Sequence, residues 1–187
     1  MSENVIVENL SSIDFDIENV KNSIKIIENL SIGAKDYFDY SQKFTATIYR
    51  EDSEAYNCMM LFFKILKDYG VKLCVQKHPL DFSLVGGGDL RDYLPQLKGN
   101  EDKFLKESFY AGYLPDCNTI FFKFVSNPEK DIVGLNWGYG IDLLSIRKDF
   151  LKALYSIYFH ESLHAFFKNT INFNINLEEI PDIKYFK

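Results

Sequence analysis

The stretch DFLKALYSIYFHESLHAFFKN, residues 149–169, constrains this chain more than any other. Set on a helix it is apolar on nearly every face, and a helix that is hydrophobic all round belongs in an interior. With 187 residues the chain has room for one sizeable core around that helix and not for two, so a single domain over 1–187 is expected. Within it we read an N-terminal helical segment over 1–40, a core over 43–168 and a C-terminal tail over 169–187. Apolar residues make up 47% of the chain, which sets it among ordered globular proteins.

Three polar groups interrupt this apolar helix: His160, Glu161 and His164. A helix advances ~100° per residue, so the two histidines lie ~40° apart, one turn from each other. Imidazoles placed this way reach one tetrahedral cation at ~2.0–2.1 Å, the normal Zn–N distance. Glu161 points to one side of them, where its carboxylate takes a proton from a metal-bound water without being a ligand. Burying two imidazoles and a carboxylate side by side is costly unless something compensates them, and a cation does so directly. The plain alternative is an ordinary buried helix whose histidines are hydrogen-bonded elsewhere.

His160-Glu161-Ser162-Leu163-His164 resembles the HExxH signature that zincin metallopeptidases carry on a helix. The extended signature asks for uncharged flanks, and Ile157, Tyr158, Ser162, Leu163, Ala165 and Phe166 supply them. The resemblance implies zinc as cofactor, His160 and His164 as ligands, and Glu161 as general base to a zinc-activated water that hydrolyses peptide bonds. It also implies the fold: an α+β, zincin-like metallopeptidase domain whose mixed twisted sheet has an edge strand packed on a buried active-site helix. No histidine follows His164, and Phe167 stands where the metzincin pattern HExxHxxGxxH has Gly, so that branch does not apply. The gluzincin branch takes its third ligand from a later helix. The acids available are Glu178, Glu179 and Asp182. Glu178 with Asp182 reproduces the offset of the gluzincin NExxSD element, with Leu177 and Pro181 in place of its Asn and Ser. Glu178 is favoured, Glu179 follows, then Asp182; a solvated tail is the plain alternative. Tyr139, Tyr185 and His78 stand as candidates to stabilise an oxyanion, with aromatic packing the plainer use of the tyrosines.

Elsewhere, Ile17, Val20, Ile24 and Ile27 predict a helix over 14–30, with Asp14 and Asp16 at its start. KFTATIYR, 43–50, alternates Phe44, Ala46 and Ile48 with polar residues and predicts a strand. The next segment, 51–70, opens on Glu51, Asp52 and Glu54 and closes on Lys64, Lys67 and Gly70, a helix with both ends marked. VKLCVQK, 71–77, predicts a second strand, and the three together suggest a right-handed βαβ unit with a parallel pair. Residues 79–118 are turn-rich, with a short helix around Asp102–Tyr110. Gly86–Gly88 lacks the Lys and Ser/Thr of a phosphate loop and reads as a flexible turn. TIFFKFVSNP, 119–128, predicts a strand closed by Asn127-Pro128, with 131–140 as its hairpin partner; Ser145 would cap the long helix, which runs to about Lys168. This order of elements fits the zincin scheme.

The formal net charge of −6 is the wrong sign for a protein that replaces phosphate counterions, so nucleic acid is not expected as a partner. Cys58, Cys74 and Cys117 form no CxxC pair and read as free thiols. The N-terminus has no basic, apolar and small-residue succession of a signal peptide, and no run approaches the ~18 apolar residues of a membrane span. A cytoplasmic location is expected, with export by a route that leaves no such signal still open. The function expected is that of a zinc-dependent metalloendopeptidase, its peptide or protein substrate extended along the edge strand TIFFKFVSN. Two alternatives stand beside it: a catalytically degenerate zincin-like domain that binds a protein or peptide, and a zinc hydrolase acting on a non-peptide amide.

Overall fold

The computed structural model describes residues 17–107, 110–127 and 149–170. Along the chain they form α1 (Ile17–Gly33), α2 (Tyr37–Tyr49), α3 (Ser53–Asp68), β1 (Lys72–Val75), α4 (Leu90–Tyr93), α5 (Glu101–Glu107), β2 (Ala111–Leu114), β3 (Thr119–Phe122) and α6 (Phe150–Thr170), with single 3-10 turns at Pro95–Leu97 and Pro115–Cys117. The architecture is α+β. The strands make one sheet in the order β1-β3-β2, β3 running parallel to β1 and antiparallel to β2.

Both faces of this sheet are covered. Leu73 and Val75 of β1 and Ile120 and Phe122 of β3 join the larger core beneath α1, α2, α3 and α6. Cys74 and Phe121, pointing the other way, join Phe82, Leu84, Leu90, Leu94, Leu97 and Cys117 in a second cluster. Strand residues alternate between faces, so a strand buried on both sides reads as a continuous apolar run, and TIFF is one. That fixes its place. β3 lies between β1 and β2, and the edge-strand role expected of TIFFKFVSN is overturned: its backbone groups are taken up by neighbours on both sides. Among the described strands, β2 is the one at the margin of the sheet that packs against α6.

Segment 43–50 is not a strand but the second half of α2. The helix starts earlier, where the Asp36 carboxylate accepts from the Asp39 N–H at 2.7 Å. Its buried face is Tyr37, Tyr40, Ser41, Phe44 and Thr45, spaced by three and four. Two buried hydroxyl residues on that face conceal it from a reading of apolar residues alone. The βαβ unit expected there is therefore absent, and the parallel partner of β1 is β3, far along the chain. The helix expected over 51–70 is α3, capped by Asp52, which accepts from Ala55 N–H at 3.0 Å, and followed by Gly70 at φ 68°; the strand expected over 119–128 ends at Phe122, and α4 and β2 fall within the stretch read as turns. The short helix expected around Asp102–Tyr110 is α5. The 131–140 partner strand, Pro128 and Ser145 lie outside the described residues. α6 begins at Phe150, and Asp149 caps it, accepting from Lys152 N–H at 3.1 Å.

The middle of α6 is the hub of the core. Tyr158 is fully buried, and the rings of Tyr37, Tyr40, Phe44, Phe63 and Phe122 all have centroids within 6.0 Å of its own. Pairs of this kind contribute ~0.5–1.5 kcal/mol each beyond simple burial. No helix among the described residues is long and apolar enough to cross a membrane.

Candidate metal centre

α6 positions the candidate site. Its core side carries Leu154, Tyr155, Tyr158, Ser162 and Ala165, each 3% exposed or less. Phe159 meets Phe62 of α3 edge-on and Phe166 meets it at a tilt, with centroids 5.2 and 5.6 Å away. His160 and His164 lie on a different face, both half-buried. Glu161 stands beside them and is only 4% exposed.

A ladder of hydroxyl pairs holds α6 against α2. Tyr37 meets Ser162 at 3.1 Å, Ser41 meets Tyr158 in a short contact, and Thr45 meets Tyr155 at 3.2 Å. Ser162 donates its hydrogen to the Tyr158 carbonyl and Ser41 donates to the Tyr37 carbonyl. The two serine oxygens are therefore acceptors, and the Tyr37 and Tyr158 hydroxyls donate to them. Burial pushes the Tyr37 hydroxyl up to about 12, and the bond to Ser162 offsets part of that rise. Burial raises Tyr158 and Tyr155 as well. All three keep their protons at neutral pH, and Tyr37 and Tyr158 serve as donors. The far end of α6 is tied down separately: Asn169 Nδ2 donates to Asn118 Oδ1 at 2.9 Å, Tyr113 of β2 donates to the same oxygen at 2.6 Å, and Asn118 Nδ2 donates to the Tyr69 carbonyl at the end of α3. Asn118 itself adopts a left-handed conformation, φ 51°.

The rings of His160 and His164 have centroids 5.0 Å apart and planes inclined at 72°. A ring bound to zinc through nitrogen puts its centroid ~3.2 Å from the ion. Centroids at the observed separation subtend ~100° at a shared ion, close to the tetrahedral angle. The separation of the two rings is therefore one that two ligands of a tetrahedral ion can have. Among the described residues no group of three or more His, Cys, Asp or Glu side chains is placed to hold a metal ion. The acids expected to supply the third position, Glu178, Glu179 and Asp182, lie outside the described residues, as do Tyr139 and Tyr185. The chain matches no protein-family model, no curated protein and no solved structure.

Of the remaining sequence candidates, His78 sits exposed in the turn after β1, its Nδ1 accepting from Leu80 N–H at 3.3 Å. That turn leaves the sheet from β1, which lies across β3 from β2. The Gly86–Gly88 turn is built rather than slack. All three glycines have positive φ, Leu84 N–H bonds Gly88 carbonyl at 2.9 Å, and a Cβ on Gly86 would lie 2.2 Å from the Lys35 carbonyl oxygen. All three cysteines are free; Cys74 and Cys117 are buried and Cys58 is exposed. Burial raises the Cys74 thiol, the behaviour of an inert core cysteine. The residues that sequence reasoning missed are those of the hydroxyl ladder. The signal was present in the four-residue spacing of Tyr37, Ser41 and Thr45.

Proposed function

We propose that the protein is a zinc-dependent metalloendopeptidase of the zincin kind. The observation that carries this reading is the neighbouring imidazole pair, 5.0 Å between centroids, with a residue 4% exposed, Glu161, next to it in the chain. A bound zinc ion would supply a Lewis acid and a water acidic enough to ionise near neutral pH. His160 and His164 would hold the ion, and one of Glu178, Glu179 or Asp182 would complete the protein ligands. Glu161 takes the proton from the attacking water and returns it to the leaving amine. Its burial keeps bulk water from competing for that proton. The substrate would be a peptide or protein segment lying extended along the β2 margin, in place of the expected alignment on β3. The negative net charge fits a partner that is not nucleic acid.

Metal analysis and a peptide-library digest test the reading together. The purified chain should carry about one zinc per molecule, and chelation should abolish cleavage. His160→Ala should lose the metal. Glu161→Gln should keep it and lose hydrolysis by about 10²–10⁴-fold, the range of a positioned general base. A Glu161→Gln protein that cuts like the parent would refute the catalytic assignment. Zinc without any cleavage would indicate the degenerate, partner-binding domain instead. Among Glu178→Ala, Glu179→Ala and Asp182→Ala, the variant that releases zinc identifies the third ligand.

A further inference from the structure

We propose that Tyr37, Tyr155 and Tyr158, through Ser162, Thr45 and Ser41, are positioning residues that set the rotation of α6 about its axis and so decide which face presents His160, Glu161 and His164. The consequence for metal binding rests on the function proposed above; the geometry does not.

Apolar burial normally orients a helix, because one stripe prefers the core. α6 has a buried side, formed by Phe150, Leu154, Ile157, Tyr158 and Ala165, but no exclusive apolar stripe: Phe159 is buried on another face, and Leu163 and Phe167 are apolar residues on the less buried side. Burial of apolar surface alone therefore discriminates poorly between rotations. Hydroxyl pairing discriminates well, because a buried hydroxyl without a partner is penalised more than a made bond is rewarded. The three pairs run antiparallel, Tyr37 with Ser162, Ser41 with Tyr158 and Thr45 with Tyr155. All six residues are 3% exposed or less. Turning α6 by one residue, ~100°, would separate all three pairs at once. Ser162 belongs to the segment between the two histidines, so the rotation that satisfies Ser162 is also the one that sends His160 and His164 to their shared face. Tyr37 acts through Ser162.

The test removes the ladder and keeps the rings. Tyr37→Phe/Thr45→Val/Tyr155→Phe/Tyr158→Phe deletes every donor across the interface and leaves both serines bonded to their own helix carbonyls. Tyr40→Phe is the control. It sits on the same helix, is fully buried, and its hydroxyl is the one buried side-chain oxygen or nitrogen without a partner among the described residues. Two readouts are taken. Diethyl pyrocarbonate modification of metal-free protein gives the rates at His160 and His164 relative to exposed His78, read by peptide mass spectrometry. Cobalt(II) titration gives affinity and the visible spectrum of the bound ion. The fourfold variant should alter the His160:His164:His78 ratio, weaken cobalt binding by about 10–100-fold and change its spectrum. Tyr40→Phe should change none of these. An unchanged ratio in a folded fourfold variant, or an equal change in Tyr40→Phe, overturns the proposal. If the fourfold variant does not fold, Tyr37→Phe alone is read by the same criteria. If the parent binds no cobalt, the proposed function fails, and the modification ratio still decides the positioning role.

Discussion

Replacing Thr45 with valine keeps the volume of a fully buried side chain and deletes the oxygen that Tyr155 meets at 3.2 Å. The Tyr155 hydroxyl, on a residue 3% exposed, is then left in the core without this partner. Such a group costs ~1–3 kcal/mol, more than the ~0.5–1.5 kcal/mol that a typical bond contributes. Tyr155→Phe leaves the reverse situation, a Thr45 hydroxyl facing a ring edge, with a similar cost of ~1–3 kcal/mol. The double variant removes both partners at nearly constant shape and should cost only ~0–1 kcal/mol. The two single losses therefore should not add, and their coupling should amount to about 2 kcal/mol or more. Urea unfolding followed by circular dichroism measures this, provided the slope m is common to all four proteins. In a chain of this length each kcal/mol also moves the thermal midpoint by ~2–4 °C, which gives a second reading. Single costs that sum to the double within ~0.5 kcal/mol would show that the pair carries no coupling and that the ladder argument is wrong.

Phe44→Ala should destabilise by ~3–5 kcal/mol in the same assay, because it opens a cavity beside Tyr40, Tyr155 and Tyr158, whose rings all lie within 5.8 Å of it. Gly86→Ala should lower the urea midpoint, adding ~1–2 kcal/mol for a left-handed alanine to the strain of moving a Cβ off the Lys35 carbonyl, 2.2 Å away; a midpoint at or above the parent's would refute the close approach. Stability should also fall at alkaline pH. The fold favours the neutral Tyr37 hydroxyl and raises it from 10.0 to about 12, so the folded chain keeps a proton that the unfolded chain has lost. That contribution is complete below pH 10 and disappears as pH rises toward 12, on the order of 2–3 kcal/mol for Tyr37 alone, with buried Tyr158 adding to it. A urea midpoint unchanged between pH 9 and 11.5 would refute it.

What could be read from the chain depended on how local each signal is. The cap at Asp52 and the glycine after α3 lie within one segment and pointed to the helix correctly. His160, Glu161 and His164 fall within a single turn and a half, so their adjacency needed nothing but a helix. α2 was misread because its core face mixes Ser41 and Thr45 with Tyr37, Tyr40 and Phe44, and their partners lie more than a hundred residues away on α6. No window centred on 43–50 contains that information. The continuous apolar run of TIFF marked a strand correctly, while its edge position came from the zincin resemblance; burial on both faces is what a central strand requires. Likewise, the third metal ligand is a question of which distant acid returns to the helix, and spacing alone leaves Glu178, Glu179 and Asp182 in contention.

Among the described residues, α6 follows in sequence every element it packs against, from α1 through to β3. On a ribosome the helices and sheet that cradle it emerge first, and the histidine-bearing segment comes after them. A nascent chain halted before Phe150 has neither imidazole of the pair, and one halted soon afterwards has them on a segment still inside the exit tunnel. On the proposed chemistry, chelatable zinc should begin to associate with arrested chains only once α6 has cleared the tunnel.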